Sequence, residues 1–426
     1  MTVTVFLASL LGAMALGMPI AFALLVCALA LMFVQGSFDT TLLSQKLIEG
    51  ADSYPLLAIP FFIFAGELMN KGGMSRRIVD FALALVGHVR GGLGLVAVFA
   101  AIVMAAISGS AAADAAALGT LLIPMMRSAG YDVPRSAGLI AAGSIIAPCM
   151  PPSVALIIFG VIANVSIGKL FMATIVPGLL MGLSLVIAWL WVVRKDRITA
   201  LPRRPMRDVL RVSRQAVWAL IMPFAIIGGM KFGLFTPTEA AVVACAYAFL
   251  VGMFVYRELQ WRDLYPLLVA AAKTTAVVVF LIASALVSAW LITTSSVPQQ
   301  IAAMLTPFMD SPRTLMFVMM VLVVIVGTAL DFAPTLMILT PVLMPIVKIA
   351  GIDPVYFGVL FIMNNAIGLI TPPVGTVLNV VCGVAKISMD DAFKGVLPFL
   401  LAQLAVLFLL VLFPQIVTVP LQWWMK

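Results

Sequence analysis

The sequence predicts an all-α polytopic membrane protein made of two inverted repeats, each holding a re-entrant helical hairpin and a broken transmembrane helix. Three observations predict it. Hydrophobic residues make up 64% of the 426 and charged residues only 10%, and the mean hydropathy is +1.20, so water cannot be the solvent for most of this surface. Rare strings recur at one spacing: the two Pro-Pro pairs, Pro151-Pro152 and Pro372-Pro373, and the two Ala-Gly-x-Asp strings, ending at Asp132 and Asp353, are each 221 residues apart (372 − 151 = 353 − 132 = 221). Finally, the number of crossings between the two copies turns the second over relative to the first.

The chain opens on an apolar run, Val3 to Val34, ahead of the first basic residue, Lys46. It lacks the positive n-region and small-residue cleavage site of a secretory signal and is expected to be retained, as one long tilted span or two short ones. Basic residues set the orientation. Between 194 and 214 lie Arg194, Lys195, Arg197, Arg203, Arg204, Arg207, Arg211 and Arg214 against Asp196 and Asp208, which is 8 − 2 = +6 of a net charge of +8. A short, aromatic-poor connector of this sign marks the cytoplasmic side and is no nucleic-acid surface. Lys71, Arg76, Arg77 and Arg90, and Arg127 with Arg135, should share that side.

Between those basic clusters, Gly92 to Ile107 is an apolar run of 16 residues, roughly 24 Å as a helix against a hydrocarbon core of ~30 Å. It ends at Ser108-Gly109-Ser110, and a second short run, Ala115 to Met126, leads back to Arg127. This predicts a re-entrant hairpin over about 92–126 with its tip at Ser108 to Ala112, where small residues let backbone approach a ligand or ion; two ordinary spans with a tight turn are the alternative. The next span, 136–163, contains Pro148, Pro151 and Pro152. Each proline removes a helical N–H and clashes one turn back, so the helix should break at mid-depth, beside protein or a polar cavity; the alternative is a simple proline kink.

The second copy repeats this plan. Its hairpin is expected at about 314–347, with Thr314 to Gly327 and Thr335 to Val347 as arms and Thr328 to Pro334 as tip. Its broken span is expected at about 355–385, around Asn364 to Pro373. Spans at 216–234, 236–256 and 265–292 make three crossings after the basic loop, so the second hairpin opens outward and the first inward, the arrangement that places a midplane site between discontinuous helices. The predicted organisation is residues 1–193 for the first repeat, 194–215 for a basic cytoplasmic loop, and 216–426 for an extra span plus the second repeat.

Several function classes are excluded. Cys27, Cys149, Cys245 and Cys382 stand singly in apolar segments, and His88 is the one histidine, so neither a disulfide framework nor a metal centre is expected. No nucleophile–base pair is placed at membrane depth, so the chain is not expected to be an enzyme. Small polar tips also suit a channel, but two inverted hairpins suit alternating access better.

Particular strings narrow the class. Gly17-Met-Pro19-Ile, Ile59-Pro-Phe-Phe-Ile-Phe-Ala-Gly-Glu67-Leu-Met, Ser108-Gly-Ser110 with Asp114, and Phe235-Thr-Pro-Thr-Glu239-Ala-Ala, with both Pro-Pro breaks, resemble the large membrane (DctM-like) subunit of tripartite ATP-independent periplasmic (TRAP) transporters over nearly the whole chain. The resemblance implies a sodium-coupled importer of an organic acid anion in the bacterial inner membrane: a C4-dicarboxylate, sialic acid, keto acid or sugar acid, nearest the branch for sugar acids such as diketogulonate. It implies two partners, a small four-helix membrane subunit and a periplasmic substrate-binding protein. It also implies an elevator-type movement of hairpins and broken helices, and no cofactor beyond sodium as coupling ion. A self-contained sodium–carboxylate symporter of similar architecture is the rival reading.

Sodium needs oxygen donors, and helix breaks free carbonyls that regular helices keep occupied. Candidates for one sodium site are Ser108, Gly109, Ser110, Gly143, Ser144 and Pro148; for the other, by the repeat, Gly327, Thr328, Asp331, Asn365, Gly368 and Thr371. Substrate is expected between the tips, near Ser110, Asn364, Asn365, Thr371 and Thr376, where half-helix N-termini attract a carboxylate. Asp331 and Asp114 are intramembrane acids and so functional candidates, although Asp114 could equally cap the helix beginning at the tip. Glu67 and Glu239, near span ends, are expected to organise interfaces, and His88 to lie at the membrane surface. No lysine or arginine is expected at the depth of the substrate.

Overall fold

A computed structural model describes residues 2–36, 38–196, 201–295, 300 and 311–424. Within the predicted basic loop, residues 197–200 lie outside the described set, and Arg197 with them. The described residues are helical, without strand. Among the described residues, seven helices are long and apolar enough to cross a membrane, or up to nine if each bent pair counts as one.

The opening run is two short helices, α1 (Thr2–Ala15) and α2 (Ile20–Val34), split at Gly17, which takes φ +75°, and at Pro19, which precedes the first residue of α2. Next comes α3 (Thr40–Ala51), capped by the Asp39 carboxylate accepting from the Thr41 and Leu42 N–H groups. A 3-10 turn at Tyr54–Leu57 leads into α4 (Ala58–Lys71), bent 53° from its predecessor. This break was not foreseen; Pro55 in the turn cannot donate to a continuing helix. After α5 (Met74–Val86), α6 (Gly92–Ser108) and α7 (Ala111–Ser128) pack together and are joined only by Gly109 and Ser110. The span α8 (Val133–Ser144) is interrupted by a 3-10 turn at Ala147–Cys149 and the cis pair Pro151-Pro152, then resumes as α9 (Val154–Ala163) at 44°. Long α10 (Ile167–Val192) completes the first half.

The second half runs α11 (Met206–Lys231), α12 (Pro237–Leu250) with a π-helical turn at Val251–Val255, and α13 (Trp261–Thr294). It continues with α14 (Pro312–Ala329) and α15 (Phe332–Ile349), then α16 (Pro354–Gly368) and α17 (Thr376–Ala385), and ends with α18 (Met389–Leu412) and α19 (Gln415–Trp424). The position 221 residues after Pro55 is Ala276, inside α13, which is unbroken for 34 residues. The straight element thus has alanine where the bent one has proline, and its own Pro266 lies near its start without breaking it.

Element boundaries follow the same spacing. Helices α7 and α15 begin and end 221 residues apart (332 − 111 = 349 − 128 = 221), and Asp132 and Asp353 both cap the helix that follows them. Beyond the breaks the spacing becomes 222 (376 − 154 = 386 − 164 = 222), with Asn164 and Lys386 both closing their helices at positive φ. The second break is therefore one residue longer, and Gly375 at φ +39° takes the turn before α17.

Two tips differ from expectation. Helix α7 begins at Ala111, not Ala115, because Ser110 caps it by accepting from the Ala113 N–H. The second connection is only Leu330 and Asp331 rather than Thr328 to Pro334. Pro334 is the third helical residue, in the first turn where a missing N–H leaves no bond unmade, so proline marks the start of this helix and not a loop.

Packing ties the breaks to each other. Phe159 of α9 meets Phe361 of α16 with ring centroids 6.0 Å apart, and Phe357 stacks on Phe361 at 5.5 Å; all three are fully buried. Such aromatic pairs add about 0.5–1.5 kcal/mol each beyond area burial, fixing one interrupted span against the other.

Candidate functional site at the two helix-pair tips

A cavity of about 430 Å3 lies where both tips and both breaks converge. From the first half it is lined by Ser108, Gly109, Ser110 and Pro148; from the second by Asp331 and Thr376. Helices α4 and α13 close it with Gly66, Glu67, Asn70, Thr274 and Val278.

Four helix starts point here. The first residues of α7 (Ala111 to Ala113), α9 (Val154, Ala155), α15 (Phe332, Ala333) and α17 (Thr376, Val377) all line the cavity. Each brings N–H groups without intrahelical acceptors and a partial positive charge, which favours an anion. The charged side chains lining it are Glu67 and Asp331, with no lysine or arginine among them. Partial positive ends and two carboxylates therefore face one small volume.

The first tip is tightly built. Ser108 Oγ donates to Asp114 Oδ1 at 2.6 Å and accepts from the Ser110 N–H at 3.2 Å. Asp114 is fully buried, and its Oδ2 has no hydrogen-bond partner among the described residues. Gly109 has φ +61°, and a Cβ there would lie 3.4 Å from the Pro152 carbonyl, so the tip abuts the first break by backbone alone. A Cβ on Gly66 would lie 3.6 Å from the Ser108 carbonyl, which places α4 against the same tip.

At the second tip, Asp331 precedes α15 without capping it; instead its Oδ1 accepts from Thr376 Oγ1 at 3.1 Å, across to the start of α17. Asn365 Nδ2 donates to the Phe332 carbonyl at 2.6 Å, a second tie between tip and break. Its Oδ1 is buried without a partner among the described residues, as is that of Asn364, whose Nδ2 donates to the Met320 carbonyl at 2.7 Å.

Of the sequence candidates, the structure brings Ser108, Gly109, Ser110, Pro148, Asp331 and Thr376 to the cavity. The others stand behind it. Ser144 and Thr371 donate to carbonyls one turn back, Ile140 and Ile367, and Thr328 donates to Ile325 from within α14. Gly143 packs on Ala101, and Gly327 and Gly368 face each other where α14 crosses α16. Asn364 and Asn365 brace the second break. Sequence reasoning missed Asn70 and Thr274 and gave Glu67 an interface role; Glu67 lines the cavity. The available signal was slight: Asn70 lies one turn after Gly66, and Thr274 lies in the Lys273-Thr274-Thr275 polar interruption of α13.

Comparison with known proteins places the chain in a family. The family described as "Tripartite ATP-independent periplasmic transporter, DctM component" matches residues 7–416. The chain is 54% identical over 423 residues, 99% of it and 100% of the relative, to the 2,3-diketo-L-gulonate TRAP transporter large permease protein YiaN of Escherichia coli. It is 40% identical to the sialic acid TRAP transporter large permease protein SiaM of Vibrio cholerae, over 95% of each chain. It is 38% identical to the C4-dicarboxylate TRAP transporter large permease protein DctM of Pseudomonas aeruginosa, over 88% of each. Its fold resembles the solved structure of the Alcanivorax borkumensis YdaH transporter, with a TM-score of 0.61 at 16% identity, covering 87% of this chain and 86% of that one. An apolar multi-pass chain, matched end to end by such permeases, belongs to the DctM component family of tripartite ATP-independent periplasmic transporters.

Proposed function

We propose that the chain is the large permease of a sodium-coupled importer in the bacterial inner membrane. It takes an organic acid anion from a periplasmic binding protein and works beside a small membrane subunit. The two halves are inverted repeats, and their hairpins and broken spans move as a unit past α4 and α13.

One observation carries this reading: both tips meet in a cavity lined by two carboxylates and no basic residue. An anion entering alone would be repelled, by about 3 kcal/mol for two unit charges ~6 Å apart at an effective dielectric of 20. A hard cation removes that penalty and is itself suited to hydroxyl, carboxylate and freed carbonyl donors. Ser108, Ser110 and Asp331 are the side-chain donors offered to sodium; Ser110, Thr376 and the four helix starts are offered to the substrate carboxylate. Cation and anion then stabilise each other, which couples their movement. By its relationship to the diketogulonate permease, the substrate is a sugar acid.

Uptake of labelled sugar acids and dicarboxylates into proteoliposomes tests this. With both partners present, a sodium gradient should drive saturable uptake, and replacing sodium by potassium should reduce it to background. Uptake by this chain alone would favour a self-contained symporter.

A further inference from the structure

A second cavity, of about 610 Å3, lies away from the tips and is cationic. Arg207, Arg211 and Arg214 of α11 and Arg77 of α5 line it, with Trp218 and Tyr256. Arg77 is neutralised by Glu258 at 2.7 Å and lies over the Tyr256 ring at 3.8 Å. Arg207, Arg211 and Arg214 have no ion-pair partner among the described residues, so 4 − 1 = 3 uncompensated guanidinium groups face one volume. The wall is held in place, since the Tyr256 hydroxyl donates to the Gln215 carbonyl at 2.7 Å.

The spacing 207, 211, 214, 218, 221 is a single stripe along α11. Past the arginines it becomes exposed Trp218 and Ile221, flanked by exposed Val217 and Phe224. The stripe is thus cationic, then amphipathic aromatic, then apolar. That order matches a phospholipid read from phosphate through the interfacial layer to the acyl chain. Guanidinium forks pair with phosphate oxygens in bidentate fashion, and a soluble anion would leave the apolar continuation of the stripe unused.

We propose that this cavity binds the phosphate of an anionic phospholipid, whose acyl chain lies along Val217, Ile221 and Phe224. The probe is phosphatidylglycerol, with phosphatidylcholine as the zwitterionic comparison, measured as lipid retained on the detergent-purified full chain by native mass spectrometry. The chain should retain phosphatidylglycerol selectively, and Arg207→Gln/Arg211→Gln/Arg214→Gln should weaken that retention about a hundredfold. Arg203→Gln/Arg204→Gln, which lowers charge outside the cavity, should retain it. The triple lysine variant, which keeps the charge and the fold, should fall between the chain and the glutamine triple. Equal retention by chain and glutamine triple, equal loss in the Arg203/Arg204 control, or equal retention of phosphatidylcholine would each overturn the proposal. Displacement of the lipid by millimolar inorganic phosphate would overturn it in favour of a soluble anion site.

Discussion

Asp331 is the residue on which the proposed coupling most directly depends. A carboxylate directly before a helix ordinarily caps it, yet this one leaves the α15 N–H groups alone and turns across the cavity to Thr376 Oγ1, 3.1 Å away. It therefore contributes little to the helix and is available to a cation. Asp331→Asn keeps the volume and removes the charge: the sodium concentration for half-maximal uptake should rise about tenfold, a change of ~1.4 kcal/mol, while the detergent melting temperature stays within about 2 °C. Thr376→Val releases the carboxylate without removing it and also takes away a hydroxyl offered to substrate, so it should shift the sodium dependence less while raising the substrate KM, and the double variant should be no worse in sodium affinity than Asp331→Asn alone. Additive losses, or a melting temperature that falls with sodium affinity, would make Asp331 structural. Asp114 differs in kind: fully buried and bonded to Ser108, it holds the first tip together.

At the scale of elements, the crossing of α14 and α16 holds the second helix pair, α14 and α15, to the helix that ends at the second break. A Cβ on Gly368 would lie 2.8 Å from the Gly327 carbonyl and 3.2 Å from its Cα, whereas one on Gly327 would meet only the Gly368 Cα at 3.6 Å. Backbone cannot move aside as a flexible side chain can, so Gly368→Ala should cost about 1–3 kcal/mol and lower the melting temperature, while Gly327→Ala should leave it nearly unchanged. Equal effects of the two substitutions would remove the asymmetry of this contact. The sequence singled out both glycines as carbonyl donors; their packing role depends on which face of each helix meets the other, and that is a tertiary fact. The same division runs through the fold. Pro151-Pro152 and Pro372-Pro373 were legible as breaks because proline acts through its own ring. The Tyr54–Leu57 bend has an equally local cause in Pro55, which follows Asp52-Ser53-Tyr54 in a segment, 40–71, for which no element was predicted. Asn70 and Thr274 carried only a slight signal as cavity residues because they lie on helices outside both tip-forming pairs. Pro334 misled because the ring that breaks a helix interior is welcome in its first turn.

For the molecule as a whole, the proposed movement makes a demand on one contact. The tips and breaks are built from both halves and braced on each other, through the aromatic cluster of Phe159, Phe357 and Phe361, the Asn365–Phe332 bond and the contact of Gly109 with the Pro152 carbonyl. They can shift as a body only by sliding past α4 and α13, which supply the far wall of the cavity. Gly66 of α4 is the place to test this, because a Cβ there would lie 3.6 Å from the Ser108 carbonyl and 3.9 Å from its Cα, close enough for a disulfide between cysteines at the two positions. The background needs Cys27, Cys149, Cys245 and Cys382 replaced, and the single variants Gly66→Cys and Ser108→Cys set the baseline; Ser108→Cys keeps a small donor toward Asp114. Oxidation of the double variant should abolish sodium-driven uptake and reductant should restore it, while either single variant should be indifferent to both treatments. Uptake that continues with the cross-link quantitatively formed would mean that the first tip never leaves α4, and the cavity would then have to open by bending within the helix pairs rather than by carrying them.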